Sequence, residues 1–135
     1  MKRNDEPYLS EVCIREDVAY LPWSPLAGGM ISGKYLDGAR PEGSRWSMDP
    51  RPNGRDSEVS QNTVKAYMDV AEKHGLDVCQ MALKFVDKQN FVTSTIIGAT
   101  TMEQLKSNID AFDIELSDEV MADVDKVYRQ YPIPY

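Results

Sequence analysis

Two stretches hold most of the residues whose types and spacing could do chemistry. Residues 23–34 read WSPLAGGMISGK. Glycines let backbone N–H groups approach an anion, and Lys34 adds a charge, so the stretch suits a phosphate. It is not a Walker A loop, because no Gly-Lys-Ser/Thr follows at the required spacing. A plain turn from strand to loop explains the same residues. Residues 98–108 read GATTMEQLKSN. Here Gly98 closes a strand pattern, the hydroxyls of Thr100 and Thr101 open a helix, and Gln104 and Asn108 stand one turn apart on one face. A helix N-terminus with hydroxyls attracts a phosphate, and Gln with Asn at i and i+4 suits the edge of a base. Thr101 and Gln104 are equally explained as a capping box.

The other candidates point to structure. His74, the one histidine, falls in the last turn of a helix, where a cation suits the dipole. Two distant cysteines and one histidine offer no metal-ligand spacing. Asp118, Glu119, Asp123 and Asp125 read as the solvated face of the last helix. Tyr128, Tyr131 and Tyr135 read as helix packing and tail.

The elements that must position these motifs follow from periodicity. Residues 8–16 form a short helix pattern with Ser10 as N-cap and Val12 and Cys13 inward. Residues 18–23, VAYLPW, read as a buried strand that ends at Pro22 or lacks a neighbour there. After the glycine-rich turn, residues 36–58 mix Gly, Pro and charge and read as a long irregular loop. Residues 56–74 then carry one apolar helical face, and Gly75 sits where a C′ glycine belongs. Asp77 caps the next helix, with Gln80 completing a capping box and Leu76 and Met81 a staple. Residues 91–99 read as a second strand. Met102, Leu105, Ile109 and Phe112 make the apolar face of the helix that follows. A last helix runs from Leu116 through Val127. The order amounts to two βα units and a C-terminal helix, a single α/β domain over residues 1–135.

Composition bounds the rest. The chain has 135 residues with 15 basic and 22 acidic side chains, a formal charge of −7. That balance argues against nucleic acid, which needs clustered Lys and Arg. No apolar run is long enough for a membrane span, and the polar start carries no secretion signal. Cys13 and Cys79 are too few for a disulfide framework, so a cytoplasmic chain with inert thiols is expected. A complete eight-stranded α/β barrel needs ~200 residues or more, beyond what this chain can build.

With both motifs in hand, the sequence resembles the C-terminal portion of an aldo-keto reductase, of the Tas-type and potassium-channel β-subunit-like branch. The carrying segments are WSPLAGGMISGKYLDGARPEGSRW and AEKHGLDVCQMALKFVDKQNFVTSTIIGATTMEQLKSNIDAFDIELSDE. The resemblance implies a fragment of a TIM (β/α)8 barrel, with residues 18–23 as strand seven and residues 93–98 as strand eight. It implies an NADP(H) site without a Rossmann domain, with residues 36–58 as a flexible cofactor flap. By position, Trp23 would stack on the nicotinamide. Ser24, Leu26, Ala27 and Gly28 would line the pyrophosphate, Lys34 would pair with phosphate, and Arg45 would reach the adenosine end. Gly98, Thr100, Gln104 and Asn108 would hold the 2′-phosphate and adenine. Ser107 stands where the family often has an acidic residue, so one adenine contact is in doubt.

The family's catalytic Asp, Tyr, Lys and His have no counterpart in these residues, and no catalytic residue is assigned. The expected function is therefore a truncated reductase-like chain that keeps part of the cofactor site and does no chemistry alone. The alternatives are half of a two-chain NADPH-dependent aldehyde or ketone reductase, or an interaction module that has lost the cofactor. Only two strands of the barrel would remain, each with an exposed edge. The inner face, with Val18, Tyr20, Thr95 and Ile97, would meet water. A homo-oligomer, most simply a dimer, or a separate N-terminal half is the expected partner.

Overall fold

The computed structural model describes residues 1–49 and 54–135. Six α-helices are present among them: α1 (Leu9–Arg15), α2 (Arg45–Met48), α3 (Glu58–Lys73), α4 (Val78–Asp87), α5 (Met102–Asp110) and α6 (Asp118–Gln130). Two 3-10 turns, Ala27–Ser32 and Leu36–Gly38, lie between α1 and α2.

The long helices begin where side chains satisfy their free N–H groups. Ser57 accepts from the Ser60 amide at 3.2 Å, and Ser117 from the Val120 amide at 3.3 Å. Asp77 accepts from the Cys79 and Gln80 amides at 2.8 and 2.9 Å. Each cap satisfies donors that the helix itself cannot. At the C-terminus of α3, Gly75 takes φ +65° as a C′ residue should, and the Leu76 amide reaches back to the Ala71 carbonyl.

Helices α3, α4 and α6 bury one apolar cluster, with Tyr67, Ala71, Met81, Leu116, Val120 and Val124 at its centre. A smaller cluster joins the 27–32 turn to α2 and α3 through Ala27, Met30, Tyr35, Trp46 and Val64. Helix α4 packs on both the 27–32 turn and α5, so it sits between the two candidate motifs.

Several expectations from the sequence need correction. No strand forms among the described residues. Residues 18–23 and 91–97 lie parallel but meet in one bridge, Trp23 to Ile96. The Thr93 amide donates to the Tyr20 carbonyl at 2.9 Å and the Ile96 amide to the Pro22 carbonyl at 2.8 Å. The offsets of two residues on one side and three on the other break the ladder. Pro22 has no N–H, and neither segment has a second neighbour to hold it straight. Of the anticipated inner face, Val18 is exposed, while Tyr20, Thr95 and Ile97 are half-buried.

The stretch 36–58 is not wholly irregular, since it contains the Leu36–Gly38 turn, α2 and the start of α3; residues 50–53 of the anticipated flap lie outside the described residues. Ser10 does not cap α1: it is buried within the helix and its hydroxyl donates to the Glu6 carbonyl, while Val12 points outward. Gln80 does not complete a capping box, because its amide donates to the Ser107 carbonyl at 3.1 Å. The apolar stripe of α5 is largely uncovered: Met102 is 74% exposed, and Ile109 and Phe112 are exposed too.

Asp123 departs furthest from its expectation of a solvated position, being only 7% exposed. One oxygen accepts from Lys73 at 2.6 Å and from His74 at 3.0 Å; the other accepts from Lys126 at 2.7 Å. These partners, Lys126 first, hold its carboxyl well below the usual carboxylate range. His74 thus ties the end of α3 to α6 as well as suiting the helix dipole.

Two outcomes follow. Met81→Ala should cost about 2–5 kcal/mol of unfolding free energy, as large-to-small core substitutions do, measured by urea titration. A carboxyl with a depressed folded value contributes stability above its unfolded value of about 3.9, and loses it as pH falls toward the folded one. Thermal melts should therefore show stability declining as pH falls below about 5, the onset set by that unfolded value, and Asp123→Asn should remove part of that decline.

Candidate functional site

The 23–34 motif begins at the bridge. Trp23 is 74% exposed, its ring standing free beside the meeting point of the two extended segments. Ser24 turns the chain with φ +57°, and the Ala27 amide closes back on the Ser24 carbonyl at 2.9 Å. Leu26 is half-buried and packs against the main cluster, while Ala27 is buried in the smaller one.

Gly28 and Gly29 follow at φ +71° and +90°, a backbone that side-chain-bearing residues rarely adopt. A cationic side chain lies beside each of them, tightly only at Gly29. The Arg45 guanidinium lies 4.0 Å from where a Gly28 Cβ would stand, and the Lys34 ammonium 3.1 Å from that of Gly29. Neither cation belongs to an ion pair among the described residues. A cation therefore stands beside each of two adjacent glycines, and an anion is what such a backbone accepts.

What fixes the cations was not read from the sequence. Tyr35 and Trp46, each next to one of them, stack with ring centroids 4.1 Å apart and planes within 9°. Both are buried, and the Arg40 guanidinium lies over the Trp46 ring while its N–H donates to the Trp46 carbonyl at 3.1 Å. The stack brings residue 45 to residue 28 across the intervening loop. Its signal in the sequence is the repeated pairing of a cation with an aromatic, Lys34–Tyr35 and Arg45–Trp46.

The 98–108 motif keeps its helix start. Thr101 accepts from the Gln104 amide at 3.2 Å. The Gln104 carbonyl oxygen accepts from the Thr100 amide at 2.9 Å and the Thr100 hydroxyl at 3.0 Å. Gln104 is thereby oriented at the exposed N-terminus of α5. Asn108, one turn on, is only 4% exposed and faces inward. Gly98 is exposed and lies two residues beyond the bridge, as Ser24 lies one beyond it. The bridge thus starts both motifs from one point, and α4 supports the turn of one and the helix of the other. Among the described residues no hydrogen bond or ion pair joins Lys34 or Arg45 to Thr100, Gln104 or Asn108.

The remaining reactive groups have structural settings. Cys13 and Cys79 are free thiols; burial, then Asp77, pushes Cys79 up to about 11, against a smaller opposing effect of Lys34. His74, Glu119 and Asp123 lie close enough to share an ion, but Lys73 and Lys126 already occupy both Asp123 oxygens. No helix among the described residues is long and apolar enough to cross a membrane.

The family model for the aldo/keto reductase family matches residues 1–129. The chain is 46% identical over 134 residues to the protein Tas of Escherichia coli K12, covering 99% of this chain and 39% of that protein. It is 32% identical over 121 residues to a putative voltage-gated potassium channel subunit beta of Schizosaccharomyces pombe, covering 82% of this chain and 34% of that one. It is 31% identical over 128 residues to an L-glyceraldehyde 3-phosphate reductase of Escherichia coli O157:H7, covering 90% and 37%. Among solved structures, a glycerol dehydrogenase of Gluconobacter oxydans matches with TM-score 0.71 and 25% identity over 99% of this chain and 41% of its own. The chain spans about 39% of the length of the curated relatives at the head of this group.

The stack gives a direct outcome. Tyr35→Ala should expose the Trp46 ring and shift its fluorescence emission to longer wavelength, while Trp23→Phe should leave that component unmoved.

Proposed function

The chain belongs to the aldo/keto reductase family, and we propose that these 135 residues carry the part of an NADP(H) site that grips the cofactor's phosphates and adenine, without the groups that perform reduction. The observation that carries this reading is the placement of Arg45 beside Gly28 and of Lys34 beside Gly29. A pyrophosphate supplies the anion such a spot lacks. Ser24, Leu26 and Ala27 would complete its wall, and Arg45 would extend toward the adenosine end. Thr100 and Gln104, oriented at the start of α5, would take the 2′-phosphate, with Gly98 leaving the approach open and Asn108 behind them. Trp23, with its face free, would receive the nicotinamide. Bound there, the cofactor would supply a hydride; what this chain's own residues do is bind and orient.

No acid–base set accompanies that grip. A positioned proton donor is worth about 10²–10⁴ in rate, and these residues offer none beside Trp23 in the family's pattern. A second reading, that the chain is half of a two-chain reductase, is favoured by one observation: the open backbone edge along residues 18–23, where a further strand would fit.

Calorimetry with NADPH tests the proposal. Binding is expected, and weaker than in a complete barrel, because part of the site must be ordered on binding. Lys34→Ala should weaken it roughly tenfold or more, the loss of one charged hydrogen bond. NADH should bind less well than NADPH. An absence of binding heat at millimolar NADPH would overturn the reading. Purified chain mixed with NADPH and a reactive aldehyde should consume no cofactor above a Trp23→Ala control.

A further inference from the structure

Helix α4 packs against both the 27–32 turn and α5. One residue of its first turn makes a polar link to α5. Asp77 caps α4 and fixes that turn, its carboxylate accepting from the Cys79 and Gln80 amides. The Gln80 side chain takes no part in the cap and crosses to α5 instead. Its amide nitrogen donates to the Ser107 carbonyl at 3.1 Å, with the Ser107 hydroxyl oxygen at 3.4 Å.

That carbonyl also accepts from the Ala111 amide at 3.1 Å, as part of the helical ladder. A carbonyl oxygen has two lone pairs, so the Gln80 bond costs α5 none of its own. One turn further along α4, Lys84 donates to the Phe112 carbonyl at 2.7 Å. Between residues 78–87 and 100–112, these side chains make the hydrogen-bonded ties among the described residues.

The first turn of α5 has no such tie. The Thr100, Thr101 and Gln104 side chains bond within their own turn. Where that turn stands is set by the body of the helix, where Asn108 and Ala111 are buried and Gln80 holds Ser107. Gln104 lies three residues before Ser107, on the same side of the helix and ~4.5 Å along its axis.

We propose that Gln80 is a positioning residue that sets α5 against the glycine turn, and through it the preference for a 2′-phosphorylated adenine dinucleotide over the unphosphorylated one. This rests on the cofactor reading above, in which the glycine turn takes the pyrophosphate and Thr100 with Gln104 the 2′-phosphate. Both groups belong to one ligand. Hydrogen bonds to a charged group weaken steeply with distance and angle. A dinucleotide seated at the turn therefore keeps its 2′-phosphate contact only while α5 holds its place. Gln80 acts through Ser107 and touches no ligand.

Gln80→Met tests this, since methionine has nearly the same length, suits a helix and has no donor. In calorimetric titrations NADPH affinity should fall about tenfold, the loss of one charged hydrogen bond, while NADH affinity moves by less than about twofold. Ser107→Ala keeps the carbonyl acceptor and should leave both affinities in place. Lys34→Ala, acting at the turn, should lower both alike. Hydrogen exchange reads the tie without cofactor: Gln80→Met should speed exchange of the α5 amides and leave α3 and α6 as they are. Unchanged α5 exchange overturns the inference. NADPH binding with an unmoved NADPH-to-NADH ratio in Gln80→Met also overturns it, and leaves the cofactor reading standing. No NADPH binding by the native chain overturns the two together.

Discussion

The rest of this structure depends on one meeting of two extended segments, the parallel bridge from Trp23 to Ile96. Each segment leads into one half of the candidate site, and their hydrogen bonds are the backbone link that sets where both halves begin. Two bonds do not make a ladder, which needs a donor at each alternate residue. Pro22 removes one donor. What remains is a single bridge.

The helical layer is where the stability resides. Its caps are local, its apolar faces interlock around Met81 and Val124, and Asp123 ties the end of α3 to α6 through Lys73 and His74. The two candidate motifs pack on this layer, the 27–32 turn on α3 and α4 and helix α5 on α4. The Tyr35–Trp46 stack forms a small second core whose consequence is to bring Arg45 to the glycine turn. Packing at that point places a cation beside Gly28, one residue from the glycine that Lys34 faces.

Much of this was legible in the sequence, and for physical reasons. Helix caps such as Asp77 and Thr101 and the C′ glycine Gly75 are decided by neighbours a few residues away, so they can be read locally. The family likewise follows from two long motifs in order. What could not be read depends on partners distant in the chain. Asp123 looks solvated until Lys73 and His74 arrive from another helix. Met102, Ile109 and Phe112 have the periodicity of a buried face, yet they stay exposed among the described residues. The strand patterns at 18–23 and 91–99 are sound as propensity, but a strand is a property of its neighbours, and here each has one.

In the proposed site, the backbone at Gly28 and Gly29 with Lys34 and Arg45 would grip phosphate while the exposed ring of Trp23 receives the nicotinamide. The most direct measurement is an NADPH titration of the Trp46→Phe variant, in which Trp23 is the one fluorophore of its kind. Saturable quenching of Trp23 emission, weakened by Gln104→Ala, is the predicted result. Unchanged emission up to millimolar NADPH would contradict the claim.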